Sequence, residues 1–267
     1  MRVLAAIAIV LALSAVPAFA GDFEDGLKAY QRKEYASAIT AWKRAAAQGS
    51  APAQFTLGFM YEKGEGVTQD NKDAMSWYQR AADQGYAAAQ INLGAMYEKG
   101  QGIAPDIRQA VSWYQKAADQ GLVEAQFNMG RMYQTGQGVA QDYKEAASWL
   151  QKAGAQGHTW AQSALALMFE TGQGVALDYK QAVFWYRKAA ESGDPLAQFD
   201  LGRIYETGQE GVPMDYVEAH KWWNIAASNG EERARKNRNL VERLMKPVQI
   251  AEAKRRADEW MKAHAKR

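Results

Sequence analysis

No cysteine occurs anywhere in the 267 residues, so neither a disulfide nor a thiolate-bound metal can hold this fold together, and stability must come from packing. The same absence rules out a lipid-carrying cysteine behind an export signal. Histidine is scarce as well: His158, His220 and His264 are all there are, in three unrelated settings. Without an i, i+4 pair or a His-Glu-x-x-His, a transition metal has no ligand pattern to bind, and no metal or cofactor is expected. No serine begins a Ser-x-x-Lys or sits in Gly-x-Ser-x-Gly, which removes the common serine-nucleophile signatures, those of penicillin-recognising enzymes included. No catalytic residue is expected, and the chain reads as a binder rather than an enzyme.

Long apolar runs are missing too, except at the start. Arg2 supplies a short positive region, Val3 to Val16 an apolar one, and Ala18-Phe19-Ala20 a small-x-small processing site, the three parts of an export signal. Residues 1–20 are therefore expected to be a signal peptide cleaved after Ala20, which places the mature protein in the periplasm or outside the cell. An uncleaved anchor fits less well, because the run ends in Pro17 and a processing site rather than a charged stop. Nothing later is apolar for long enough to span a bilayer, so no stable membrane insertion is expected after cleavage.

Charge is nearly balanced, at a formal +2 overall, but unevenly distributed. Residues 231–267 hold twelve Lys/Arg against six Asp/Glu, a net of +6, and the preceding chain is correspondingly acidic. A basic tail can suggest nucleic acid, yet an exported protein rarely meets it. These charges are also spread around helices instead of forming one block, so a solvated face is expected and no nucleic-acid partner.

What the chain has in abundance is repetition. Gly85, Gly121, Gly157 and Gly193 close successive copies 36 residues apart, a period that signals stacked supersecondary units. The copies are 50–85, 86–121, 122–157, 158–193 and 194–230, the last longer by one residue near Gln209-Glu210-Gly211. Each contains two amphipathic helices. In the first copy, Ala53, Leu57, Met60 and Tyr61 stripe one helix, and Ala74, Trp77, Tyr78, Ala81 and Ala82 the next. Neither stripe can be buried within one copy, so neighbours must stack. Residues 21–49 read as a preceding helix pair of tetratricopeptide type, with a tight turn near Lys33-Glu34-Tyr35 in place of the glycine loop. Beyond Gly230, Leu240, Leu244 and Met245 form one apolar side, and Ile250, Ala253, Ala257, Trp260 and Met261 the next after Pro247. Residues 231–267 are expected to cap the array, with Trp260 as an anchor onto the fifth copy; a partner-binding or surface-binding basic helix is the other reading of this end.

Local chemistry explains the recurring residues. Mid-helix Gly58, Gly94, Gly130 and Gly202, where a glycine costs about 1 kcal/mol against alanine, imply that a neighbouring backbone passes close by, with Ala166 as a mild departure. Gly64 can end the first helix and Gly66 permits a tight return that turns Val67 inward. Asp70, Asp106, Asp142, Asp178 and Asp215 read as N-caps of the second helices, with Asp73 and its equivalents able to reach back to the cap's own N–H. The Trp77, Trp113, Trp149, Trp185 and Trp222 series reads as core.

The pattern Ala-x-x-Leu-Gly-x-Met-Tyr-x-x-Gly-x-Gly-Val-x-x-Asp, then Ala-x-x-Trp-Tyr-x-x-Ala-Ala-x-x-Gly, resembles the Sel1-like repeat family, a relative of tetratricopeptide repeats, over residues 50–230. The resemblance implies an all-α fold, a right-handed α-solenoid of stacked antiparallel helix pairs. It also implies an adaptor or regulator that works through protein contacts.

If the copies align with the tetratricopeptide pair, the first helices line a concave groove. One row in that groove reads Phe55, Ile91, Phe127, Ser163, Phe199; it is mostly apolar and fits core packing as well as ligand contact. A second, Phe59, Ala95, Arg131, Leu167, Arg203, varies while the scaffold around it does not, and Trp160 stands where other copies have Pro52, Ala88, Glu124 and Leu196. Phe55, Phe59, Arg131, Trp160, Leu167 and Arg203 are therefore the candidate contacts for a protein or peptide partner. The alternative is a cell-wall-associated protein that binds or processes peptidoglycan or a related antibiotic.

Overall fold

The structure, a computed structural model, describes residues 20–264. The segment read as a signal peptide lies outside the described residues, apart from Ala20, and so do residues 265–267. Fourteen α-helices and one short 3-10 turn make up the described chain, an all-α solenoid of helix pairs. In order they are α1 (Ala20–Gln31), α2 (Tyr35–Ala47), α3 (Ala51–Lys63), α4 (Asn71–Asp83), α5 (Ala87–Lys99), α6 (Ile107–Asp119), α7 (Val123–Thr135), α8 (Tyr143–Ala155), α9 (Thr159–Thr171), α10 (Tyr179–Glu191), α11 (Pro195–Thr207), α12 (Tyr216–Ser228), α13 (Glu232–Val241) and α14 (Pro247–His264), with the 3-10 turn at Glu242–Leu244. The array divides within α7 into two compact units, one reaching Met129 and including 137–139, the other holding 130–136 and everything from Ala140 onward.

In the N-terminal unit, α1 pairs with α2, α3 with α4 and α5 with α6, and α2 also packs on α3 and α4 on α5. The turn from α1 to α2 is made by Lys33, the sole non-glycine at positive φ (64°) among the described residues. That replaces the four extra loop residues of the later copies. Where the loop is present, Gly64 takes the left-handed conformation (φ 70°, ψ 28°) that ends α3, and its N–H donates back to the Met60 carbonyl. Gly66 does more than turn the chain. A Cβ there would lie 2.4 Å from the Cβ of Tyr35 on α2, and one on Gly102 would lie 2.7 Å from the Asn71 carbonyl oxygen. The second loop glycine thus seats each loop on the helix of the preceding pair, while Val67 packs partly buried against Ile39 and its neighbours.

The mid-helix glycines face side chains rather than a bare backbone. A Cβ on Gly58 would lie 2.6 Å from the Tyr78 ring, and one on Gly94 2.7 Å from Tyr114, with the Ala110 carbonyl oxygen next at 3.2 Å. In the C-terminal unit the same approach brings Leu150 to Gly130 and Trp223 to Gly202. Gly26 meets Trp42 in this way on α1, an equivalence hidden by the shorter loop. The crossing is set by a large residue sunk into the notch that glycine leaves.

That large residue follows the repeated tryptophan and is the more deeply buried of the two. Tyr78, Tyr114, Leu150 and Trp223 are all but inaccessible, whereas Trp77 is half-buried under the Arg80 guanidinium, 4.7 Å from its ring. The other four tryptophans are buried as expected. Lys116 sits 3.8 Å over Trp113 and Lys152 3.8 Å over Trp149, so the outer face of each of these rings is covered by a cation.

In the C-terminal unit, α9 pairs with α10 and α11 with α12, and both α13 and α14 pack on α12. The extra residue of the fifth copy is absorbed by a two-residue turn: Gln209 and Val212 exchange backbone hydrogen bonds of 2.8 Å each, and Gly208 leaves the left-handed region (φ 62°, ψ 150°). Ala234, Val241, Met245 and Ala253 close the core over Trp223. The expected apolar side of Leu240, Leu244 and Met245 is corrected here. Val241 and Met245 point inward in register with Ala234, and Leu240 and Leu244 face solvent. Trp260 does reach the fifth copy, edge-on to Trp222 with ring centroids 5.8 Å apart.

Candidate functional site

Residues shared by all copies account for themselves structurally. Asp70 accepts from the N–H groups of Lys72 and Asp73, Asp142 from Lys144 and Glu145, and Asp215 from Val217 and Glu218, while Asp106 and Asp178 each accept from the third residue on. The expected return bond from Asp73 to the cap is not made. The Asp70 N–H instead donates to the Tyr61 carbonyl at 3.0 Å, and Asp106, Asp142, Asp178 and Asp215 do the same to Tyr97, Tyr133, Phe169 and Tyr205. The end of the first helix has orphan carbonyls to satisfy, and the returning loop presents the cap's N–H to one of them. Each aspartate thereby joins its two helices, through its carboxylate and its own N–H.

The acidic row that follows Phe59 is also partly structural. Tyr78 donates to Glu62 at 2.8 Å, Tyr114 to Glu98 at 2.8 Å and Tyr186 to Glu170 at 3.0 Å. Where the tyrosine is replaced by Leu150, the carboxylate is replaced by Gln134, which needs no such donor. The fifth copy breaks the rule. Trp223 stands in the tyrosine's place and donates to the Phe199 carbonyl at 3.1 Å, yet Glu206 remains acidic. Glu206 is left without an ion-pair or hydrogen-bond partner among the described residues, and burial pushes its carboxyl above the usual range. The scaffold does not require this charge.

The candidate contacts divide sharply. Phe55 is only 7% exposed and packs between Tyr78 (5.6 Å) and Tyr86 (5.3 Å), so its assignment as a contact is corrected: it is core. Phe59 is half-buried on α3, with the Lys63 ammonium 5.6 Å over its ring. Arg131 is half-buried on α7 and is not a free cation. Arg203 is held by Glu170, one copy back, and by Asp200, one turn back at 3.4 Å, and so braces α9 to α11 while its side chain stays 37% exposed. Burial raises the Asp200 carboxyl, against the pull of Arg203.

Leu167 and Trp160 are exposed. Leu167 is 46% exposed on α9 and Trp160 69% exposed at its start. His158 caps α9, its Nδ1 accepting from the Ala161 N–H at 3.1 Å, and the edge of its ring borders Trp160 at 6.2 Å. Leu196, the counterpart of Trp160 on α11, is exposed as well. The first-helix side of the C-terminal unit thus presents Trp160, Leu167 and Leu196 in apolar contact positions, with Glu206 as an uncompensated charge. Sequence reasoning passed over Glu206 because its row, Glu62, Glu98, Gln134, Glu170 and Glu206, is acidic in four of five copies; the signal lay in a second row, 78, 114, 150, 186 and 223, read against the first.

Among the described residues no group of three or more His, Asp or Glu could hold a metal ion. The Sel1 repeat model matches residues 51–86, 87–122, 123–158, 161–194 and 195–231, five units over most of the described chain. The chain belongs to the Sel1 repeat family. A solved Sel1 repeat protein from Oxalobacter formigenes is 34% identical, with a TM-score of 0.70 over 91% of this chain and 99% of that one. The c5321 protective antigen of uropathogenic Escherichia coli strains, which displays the same repeat fold, is 31% identical with a TM-score of 0.62; the match covers 93% of this chain but 61% of the antigen. No curated protein matches the chain. Sel1 repeats generally act as protein-interaction scaffolds and are typically non-catalytic. Among the described residues, no helix is long and apolar enough to cross a membrane.

Proposed function

We propose that this Sel1 repeat protein is a non-enzymatic adaptor or regulator, exported to the periplasm or beyond, that holds a segment of a protein partner against the first helices of its C-terminal unit. The observation that carries this reading is the contrast between copies. Residues that build the fold recur and are mostly buried, whereas Trp160 and Leu167 differ from their counterparts and are exposed, and Glu206 lacks the hydrogen-bond donor that its acidic counterparts have. A partner segment suited to this face offers apolar side chains to Trp160 and Leu167 and a lysine or arginine to Glu206. Tryptophan is enriched among the residues that anchor protein recognition, and an unpaired charge adds specificity for a partner of opposite sign.

The test is capture from an extract of the source cells by the protein and by three variants, Trp160→Ala, Leu167→Glu and Glu206→Gln. All three replace residues outside the core, so thermal melts should stay within about 1 kcal/mol of the parent protein. The reading requires that one retained protein be lost with Leu167→Glu and weakened with the other two. Retention of the same proteins by every variant would rule this face out.

A further inference from the structure

We infer that the corner between α13 and α14 is a docking element for an anionic lipid surface. It carries Leu240, Leu244 and Val248, exposed by 55%, 65% and 72%, within nine residues. Nothing in the fold uses them, because the inward positions of this segment are taken by Val241 and Met245. Four cations accompany them. Arg235, Lys236, Arg243 and Lys246 are all exposed, and none has an ion-pair partner among the described residues, in contrast to Arg233, Arg255 and Arg256, which are each held by glutamates. The single acidic residue between positions 233 and 251, Glu242, is turned inward to His220 (2.7 Å) and Lys254 (3.2 Å). The corner therefore presents apolar side chains within a field of uncompensated positive charge.

The shape selects the occupant. A protein partner would have to supply a hollow for each projecting side chain, because these residues stand out from a helix corner rather than line a groove. A bilayer accepts isolated apolar projections at its interface without complementary shape, and its anionic headgroups meet the surrounding cations. The helices that carry the corner are fixed to the last repeat by their opposite faces, with Trp260 against Trp222 and Arg256 bonded to Glu218 at 3.0 Å. The cap can therefore bind a surface without unfolding from the array. Sealing the array and docking it are tasks for two different faces of the same helices.

The chain's lack of cysteine makes the test local. An environment-sensitive fluorophore on Val248→Cys reports this corner alone, and the same label on Ser76→Cys, an exposed position on α4, serves as the reference. With vesicles containing phosphatidylglycerol, the label at 248 should brighten and shift to the blue while the label at 76 does not. Vesicles of phosphatidylcholine alone should leave both unchanged. Arg243→Gln with Lys246→Gln should weaken the vesicle partition of the 248-labelled protein by about 25-fold, at about fivefold per cation. The inference is overturned if the 248 label stays dark on anionic vesicles, if it responds equally to phosphatidylcholine, if both labels respond alike, or if the double variant binds as the parent does. A response to soluble polyglutamate but not to vesicles would also overturn it, in favour of an acidic protein partner.

Discussion

A glutamine clasp recurs at the foot of each copy, and the fourth copy lacks half of it. Gln54 donates to the Ala46 carbonyl of the preceding helix (3.2 Å) and accepts from Gln84 (2.7 Å); Gln90 does the same with Ala82 (3.2 Å) and Gln120 (2.8 Å), and Gln198 with Ala190 (3.1 Å) and Asn229 (2.9 Å). Gln162 keeps the donor half, to the Gly154 carbonyl at 2.9 Å, but its Oε1 is buried with no partner because Ser192 stands where the closing amide belongs. Ser192 is too short to reach across and donates to the Lys188 carbonyl at 3.3 Å instead. Leaving a buried acceptor unmatched costs about 1–3 kcal/mol. Ser192→Gln should therefore stabilise the protein by about 1 kcal/mol once about 1 kcal/mol of side-chain ordering is subtracted. Gln120→Ser, which opens an intact clasp, should destabilise it by about 1–2 kcal/mol. Urea unfolding followed by circular dichroism reads both, as shifts of the midpoint in opposite directions at unchanged slope. If Ser192→Gln leaves the midpoint where it was while Gln120→Ser lowers it, the Gln162 acceptor is already satisfied in solution and the reasoning fails.

Other positions give equally direct expectations. Gly94→Ala drives a methyl group to within 2.7 Å of the Tyr114 ring and should cost about 1–3 kcal/mol in urea unfolding despite alanine's better helix propensity, whereas Gly85→Ala, with nothing within 4 Å, meets only its positive φ (83°) and should cost about 1 kcal/mol. Trp222→Ala, which removes a ring buried between α12 and Trp260, should cost about 3–5 kcal/mol, visible as a large drop in melting temperature. Burial holds the inaccessible His220 imidazole below its ordinary pKa of 6.5, although the Glu242 carboxylate pulls the other way and Lys254 and Arg238 add to the lowering. The unfolded chain then binds more protons than the native one below about pH 6.5, so stability falls as pH drops from there toward the native pKa. Urea midpoints between pH 7 and 5 should fall less in His220→Gln than in the parent; equal falls would mean that His220 is not the group responsible.

Much of this was legible because it depends on local spacing. The 36-residue period, the paired amphipathic helices, the aspartate caps and the left-handed glycines are each decided within a few residues of chain. The remainder depends on contacts between distant positions. The notch at Gly94 is filled by Tyr114, on the other helix of the same copy, and Arg203 is claimed by a glutamate in the previous copy, which no single copy reveals. Phe55 looked like a groove residue because its helix position is right, but Tyr86 at the start of the next copy covers it. At the C-terminal end two apolar pairs, 240 with 244 and 241 with 245, compete for the same core. The larger leucines lose because Ala234 and the 3-10 turn after Val241 set the register. Glu206 escaped notice for a related reason: its meaning lies in the absence of a partner that neighbouring copies possess.

The claim on which the functional account rests is that the first-helix face of the C-terminal unit meets a protein. A photo-crosslinking side chain placed at Leu167, compared with one at the exposed Ser112 on α6, tests it in an extract of the source cells. The account predicts a discrete adduct from position 167 that is lost when Glu206→Gln and Trp160→Ala are added, and none from position 112. Equal adducts from both positions, or none from 167, would contradict it.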